Sequence, residues 1–150
     1  MSGDKRIVLL VEDKPDDEEL TRLAFRECKF TGELVVVRDG QEALDYLFTA
    51  GKYPAKDVHD MPQLVLLDLK LPKMNGLEVL RRVRANTATR CLPIVVLTSS
   101  KEKQDLIDSY LLGANSYTQK PVDFNHFTDA ISQIIRYWLT LNEAPIARHK

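Results

Sequence analysis

Short apolar runs alternate along this chain with stretches whose apolar residues recur at helical spacing. Ile7-Val8-Leu9-Leu10-Val11, Leu34-Val35-Val36-Val37, Leu64-Val65-Leu66-Leu67 and Ile94-Val95-Val96-Leu97 are continuous and rich in β-branched residues. That is the pattern of strands buried on both faces. The strands are expected at about 6–12, 34–37, 64–68 and 93–98, with Ser116-Tyr117-Thr118 as a short fifth. Lys14-Pro15, followed by Asp16, Asp17, Glu18 and Glu19, marks a helix start. Proline suits the first turn, and acids complement the positive end of the dipole, the role assigned here to Asp16 and Asp17. Leu20, Leu23 and Ala24 carry that helix to about residue 29. Asp39-Gly40 opens a second helix with Ala43, Leu44, Leu47 and Phe48. Leu77, Val79, Leu80 and Val83 form a third. A fourth, at about 102–112, ends at Gly113, placed as a C′ glycine. In the last helix, about 124–141, Phe127, Ile131, Ile134, Ile135 and Trp138 make one core-facing stripe. Tyr110, Leu112, Tyr137 and Leu141 fall off the stripes and point to a partner surface.

Five βα units in succession give an α/β protein with a five-stranded parallel sheet and helices on both faces. No internal repeat and no linker interrupts them. The expectation is one domain over 1–150, its core at about 5–141, with a short tail at 142–150. The polar stretch 49–62, with Gly51, Pro54 and Pro62, is a long connection for such a unit.

Composition narrows the partners. Charged residues are 29% and hydrophobic residues 44%, with a net charge of -1. No basic field argues for nucleic acid. Cys28 and Cys91 lack CxxC spacing and read as reduced thiols. The N-terminus has no apolar leader, and no apolar run approaches the length of a membrane span. A soluble, cytoplasmic protein is expected. His59, His126 and His149 have no ligand spacing, which speaks against zinc.

The candidate chemistry sits at strand ends. The first run leads into Glu12-Asp13 and the third into Asp68. Open α/β sheets place their sites at the C-terminal edge of the strands. Converging carboxylates there can hold a divalent cation, make one carboxylate a nucleophile, or do both. Thr98 and Lys120, at the ends of the fourth and fifth strands, bring a hydroxyl and an ammonium to the same edge.

This combination resembles the receiver domain of two-component response regulators, over residues 5 to about 136. The motifs are the apolar run before Glu12-Asp13, Asp68-Leu69-Lys70-Leu71-Pro72-Lys73-Met74-Asn75-Gly76, Thr98-Ser99 and Lys120-Pro121. The resemblance implies a flavodoxin-like doubly wound sheet of order 2-1-3-4-5 with five helices. It also implies that Asp68 accepts a phosphoryl group from the phosphohistidine of a sensor kinase. Mg²⁺, or another divalent cation, would be bound by Asp13, Asp68 and the carbonyl of Lys70, with Glu12 contacting it through water. Lys120 would meet the phosphoryl oxygens. Thr98 and Tyr117 would form the switch pair, and Ser99 would leave room for the phosphate. The Lys120-Pro121 bond is cis in the family. Lys70, two residues past the acceptor, lines the path of the hydrolytic water and predicts slow self-dephosphorylation.

The loop 49–62 and the ending Ile134-Ile135-Arg136-Tyr137-Trp138-Leu139 resemble the single-domain response regulators of phytochrome histidine kinases. With no output domain expected, signalling would pass through protein–protein contact, including a homodimer through helix 4, strand 5 and helix 5. Two other function classes are consistent with parts of this pattern. A phosphatase of the haloacid-dehalogenase type would carry an acid two residues after its nucleophile, where this chain has Lys70. A pseudo-receiver would lack the acceptor or the lysine, and both are present. The expected function is therefore that of a phosphoacceptor acting only on itself rather than of an enzyme with other substrates.

Overall fold

The structure is a computed structural model that describes residues 6–49 and 61–145. Five strands, β1 (Ile7–Val11), β2 (Glu33–Val37), β3 (Leu64–Leu67), β4 (Ile94–Thr98) and β5 (Ser116–Gln119), form one sheet of order β2-β1-β3-β4-β5. Every pairing is parallel, with Val11 opposite both Val37 and Leu67. The helices are α1 (Pro15–Glu27), α2 (Gly40–Leu47), α3 (Gly76–Ala85), α4 (Lys103–Leu111) and α5 (Phe124–Arg136). This is the flavodoxin-like arrangement that the alternation and the motifs lead one to expect.

Alternation along the strands splits the core in two. Leu9, Val11, Val65, Leu67, Ile94 and Val96 face Ala43, Leu44 and Leu47 of α2 and Val79, Leu80 and Val83 of α3. Their neighbours Val8, Leu10, Leu64, Leu66, Val95 and Leu97 face Ala24 and Phe25 of α1 and Phe127, Ile131 and Ile135 of α5. The stripe expected on the last helix is thus the packed one.

Local signals fix the helix ends. The carboxylate of Asp39 accepts from the Glu42 amide at 2.7 Å, and the side chain of Asn75 accepts from the Glu78 amide at 3.0 Å. Asp123 caps α5 in the same way through the His126 amide. Such caps satisfy amides that the first helical turn leaves unpaired. α4 stops at Gly113, whose φ is +105°. The Gly113 amide bonds to the Tyr110 carbonyl and the Ala114 amide to the Ser109 carbonyl, the double bond of a Schellman ending.

Three details differ from the sequence expectations. The last helix is α-helical only to Arg136, and Tyr137–Leu141 winds as a π-helix, with Leu139 offering its carbonyl to the Arg6 guanidinium. Leu112 packs against the α2–α3 side of the core, because the turn at Gly113 folds it inward; it is not part of an outer surface. The Lys120-Pro121 bond is trans, the isomer that X–Pro bonds favour by about 0.5–1 kcal/mol. Of the connection 49–62, only Thr49, Met61 and Pro62 lie among the described residues.

Candidate functional site

The acids stand where the strand ladders run out. The Glu12 amide bonds to the Val37 carbonyl at 3.0 Å, and the Asp68 amide to the Val11 carbonyl at 3.1 Å. Each ladder therefore extends one residue past its strand and fixes the carboxylate at the sheet edge. Gly76 makes the turn after Asp68 feasible. A Cβ there would lie 2.3 Å from the Asp68 carbonyl oxygen, so only glycine lets α3 start this close. From the far side, the Lys120 amide bonds to the Thr98 carbonyl at 2.7 Å and ties the end of β5 to β4.

Lys120 is the centre of the site. Its ammonium lies 2.7 Å from Glu12 Oε1, 2.7 Å from Asp17 Oδ2 and 3.0 Å from Asp68 Oδ2. The Lys120, Glu12 and Asp68 side chains are almost wholly buried. Burial acts to lower the Lys120 pKa. The charges of Asp68 and Glu12, with the hydrogen bonds to Asp17 and Glu12, outweigh it and hold the ammonium above its usual value. Burial likewise pushes the Glu12 carboxyl up to about 7, against the pull of Lys120 and with the Asp68 charge adding to the rise.

Glu12, Asp13 and Asp68 each offer a carboxylate oxygen, all within 4.8 Å of one another. The other ends of these carboxylates are engaged unequally. Both Glu12 oxygens have partners, Lys120 on one and the Lys14 amide on the other. Asp68 accepts from Lys120 on Oδ2 and, at 3.3 Å, from the Lys70 amide on Oδ1. Asp13 Oδ1 is buried and has no partner at all. An orphaned buried carboxylate oxygen is costly unless something positive meets it. The donor set, all oxygen and clustered, is that of a hard divalent cation.

Thr98 is fully buried, and its hydroxyl accepts from the Ser100 amide at 3.3 Å. The Tyr117 hydroxyl is buried and has no hydrogen-bond partner. Burial raises the Tyr117 pKa, and the charges of Asp105 and Asp68 add to the rise. Lys70 turns its ammonium outward to Asp105, 3.8 Å away, and its side chain is 60% exposed. A cleft of about 480 Å³ opens between Asp13, Lys70, Asn75 and Asp105.

The fold thus brings Glu12, Asp13, Asp68 and Lys120 into one cluster, with Thr98, Tyr117 and Lys70 at its margin. Three contributors escaped the sequence. Asp17, assigned to the helix dipole, reaches Lys120. Ser100 donates to Asp105 Oδ2 at 2.6 Å, which bridges the end of β4 to the first turn of α4. The signal for Asp17 lay in the chain's timing, since α1 begins two residues after Asp13 and its first turn stands over the sheet edge. Nothing local marks Ser100 and Asp105.

The sequence profile of the response regulator receiver domain matches residues 8–132, and the chain belongs to that family. A probable methanogenesis regulatory protein, FilR2 of Methanothrix harundinacea, is 39% identical over 95% of this chain and 89% of its own length. The phosphorylated cyanobacterial phytochrome response regulator RcpA superposes with a TM-score of 0.88 at 34% identity, over 94% of this chain and 99% of that one. The bacteriophytochrome response regulator AtBRR is 51% identical, with a TM-score of 0.70, over 93% of this chain and 99% of that one. The chain resembles these phytochrome response regulators over nearly the whole of their length. Receivers hold Mg²⁺ or Mn²⁺ in an acidic pocket, and Glu12, Asp13 and Asp68 supply that pocket here.

Proposed function

We propose that Asp68 is the phosphoacceptor of a single-domain response regulator, that Lys120 and Thr98 serve the phosphoryl group it accepts, and that Thr98 and Tyr117 carry the switch. The observation that supports this is the Lys120 ammonium 3.0 Å from Asp68 Oδ2, in a cluster whose Asp13 has an unpaired buried oxygen. Asp13, Asp68 and the Lys70 carbonyl would hold Mg²⁺, and Glu12, with both oxygens already engaged, fits contact through water. The cation supplies charge neutralisation for the incoming phosphoryl group.

In the reaction, a carboxylate oxygen of Asp68 attacks phosphorus. The P–N bond of the donor phosphohistidine breaks, and the imidazole leaves with the electron pair and takes up a proton. Phosphoryl transfer asks the protein mainly for positioning and charge. Lys120 is fixed by the Thr98 carbonyl and by three acids, and on this reading it donates to the phosphoryl oxygens. On this reading Thr98 turns its hydroxyl toward the new group and vacates space that Tyr117 takes.

The donor is a sensor histidine kinase, of phytochrome type by the likeness to RcpA and AtBRR. The protein acts on no other substrate, works in the cytoplasm and binds no nucleic acid. Among the described residues no helix is long and apolar enough to cross a membrane. Output runs through protein contact, including a homodimer through α4, β5 and α5. Ile107, Tyr110 and Leu111 of α4, with Tyr137 and Leu141 after α5, are exposed large apolar residues on or next to that surface. Light scattering at tens of micromolar, with and without phosphorylation, tests the dimer; monomer in both states overturns it.

Intact mass after incubation with Mg²⁺ and acetyl phosphate tests the core proposal. One phosphoryl adduct, lost in Asp68→Asn, is the expected result. No adduct in the wild type overturns the phosphoacceptor role, and repeated turnover without an adduct points to a phosphatase instead.

A further inference from the structure

The Lys120 ammonium has three protons, and all three are taken. An ammonium donates at most three hydrogen bonds. Here they go to Glu12, Asp17 and Asp68 at 2.7, 2.7 and 3.0 Å. A phosphoryl group on Asp68 needs at least one of them. Two of the three acceptors are poorly placed to give way. Asp68 is the residue that carries the phosphoryl group. Glu12 is buried, held by its own ladder bond to Val37 and by the Lys14 amide, and belongs to the three-acid cluster.

Asp17 differs on each count. It lies outside that cluster, in the first turn of α1, with a side chain 21% exposed. Its backbone is anchored independently, because the Thr21 hydroxyl bonds to the Asp17 carbonyl at 2.8 Å. The carboxylate can swing to water without disturbing the helix. Its neighbour Asp16 is an acid of the same first turn, is not among the acids that meet Lys120, and carries the dipole role equally well.

Resting on Asp68 as the phosphoacceptor, we propose that Asp17 is a positioning residue for phosphoryl transfer: a resting counter-ion of Lys120 that competes with the phosphoryl group for its ammonium. It keeps the ammonium at the site while Asp68 is free, and it competes with the phosphoryl oxygens once they arrive. It therefore sets how strongly the site favours the phosphorylated state.

The test uses the full chain at saturating Mg²⁺, with the beryllofluoride anion as a non-covalent phosphoryl mimic titrated by ¹⁹F NMR. Losing a partly exposed charged partner should tighten binding in Asp17→Asn by about three- to tenfold. Asp16→Asn should stay within about twofold of wild type, and Asp17→Glu should return close to it. Asp17→Ser serves as a second variant should Asp17→Asn fold poorly. Equal shifts in Asp16→Asn and Asp17→Asn, or unchanged or weaker binding in the Asp17 variants, overturn the inference and leave the phosphoacceptor role intact. A wild-type protein that binds no beryllofluoride overturns the phosphoacceptor role and this inference with it.

Discussion

The ammonium of Lys120 lies 3.0 Å from the carboxylate of Asp68, reaching it from the C-terminal end of β5. It is the one cation in contact with Glu12, Asp17 and Asp68 among the described residues. Removing it leaves buried carboxylates facing one another. Lys120→Met should therefore cost about 3 kcal/mol in the cation-free protein at neutral pH. Asp68→Asn relieves the same crowding from the other side. It should stabilise by about 1 kcal/mol while abolishing the phosphoryl adduct, the usual trade between a functional site and stability. Urea unfolding of both variants without divalent cations checks the pair of signs. A destabilised Asp68→Asn would show that the cluster is not under repulsive strain.

The orphaned Asp13 oxygen makes a separate prediction. A cation that binds only the folded chain stabilises it by about 2.7 kcal/mol at a hundredfold excess over its dissociation constant. The melting temperature should rise with Mg²⁺ in the wild type. Asp13→Asn should lose most of that rise, while its melting point without Mg²⁺ stays close to wild type or above it. A full Mg²⁺ response in Asp13→Asn would place the cation elsewhere.

Gly76 links backbone to chemistry. A Cβ at this position meets the Asp68 carbonyl oxygen at 2.3 Å and the Leu69 Cα at 2.7 Å, both backbone atoms that cannot swing aside. The Gly76 amide also bonds to the Leu69 carbonyl at 2.9 Å, so the turn is held from both sides. Gly76→Ala should cost about 1–3 kcal/mol by overpacking and slow acetyl phosphate labelling, because the shift falls on Asp68 itself. Stability and labelling rate measured on one preparation would show whether the two losses travel together.

The sheet and helices were legible because both faces of a parallel sheet are buried, which writes strands as unbroken apolar runs. Glu12, Asp13, Asp68, Thr98 and Lys120 were legible for a related reason: each ends a strand, and parallel strands deliver their ends to one edge. What stayed hidden depends on partners distant in sequence. Asp17 had a sufficient local explanation as a first-turn acid, and only the arrival of Lys120 from 103 residues away reveals the other one. Ser100 and Asp105 meet because β4 ends where α4 begins its turn, a matter of loop path. Leu112 was misplaced because the Schellman turn after it reverses the direction of the chain.

Lys70 is the residue expected to set how long the signal lasts. Its amide bonds to Asp68 Oδ1, while its ammonium sits outside, 3.8 Å from Asp105. That loose, exposed pair is cheap to break. A phosphoryl dianion on Asp68 can draw the ammonium inward, across the route of the hydrolytic water. Lys70→Asn should shorten the phospho-Asp68 lifetime several-fold, read by intact mass after the phosphodonor is removed. An unchanged lifetime rules the idea out.

Tyr117 gives an alkaline signature. Burial raises its pKa above 10.0, so the folded chain holds this proton more tightly than the unfolded chain does. Above about pH 10 the folded state then binds more protons than the unfolded state, and stability falls as pH rises. Below that range the hydroxyl is neutral in both states and contributes no slope. Tyr117→Phe removes the group, and with it a buried hydroxyl that has no hydrogen-bond partner, so stability at pH 7 should change little or rise slightly. The variant should lose less stability than wild type between pH 9 and pH 11. Lys120 also loses its contribution as pH climbs, but equally in both proteins, so the difference between them isolates Tyr117. Urea midpoints at pH 7, 9, 10 and 11 provide the comparison; parallel decline in the two proteins would mean that the hydroxyl is as well hydrated folded as unfolded, and that the space around it is open to water.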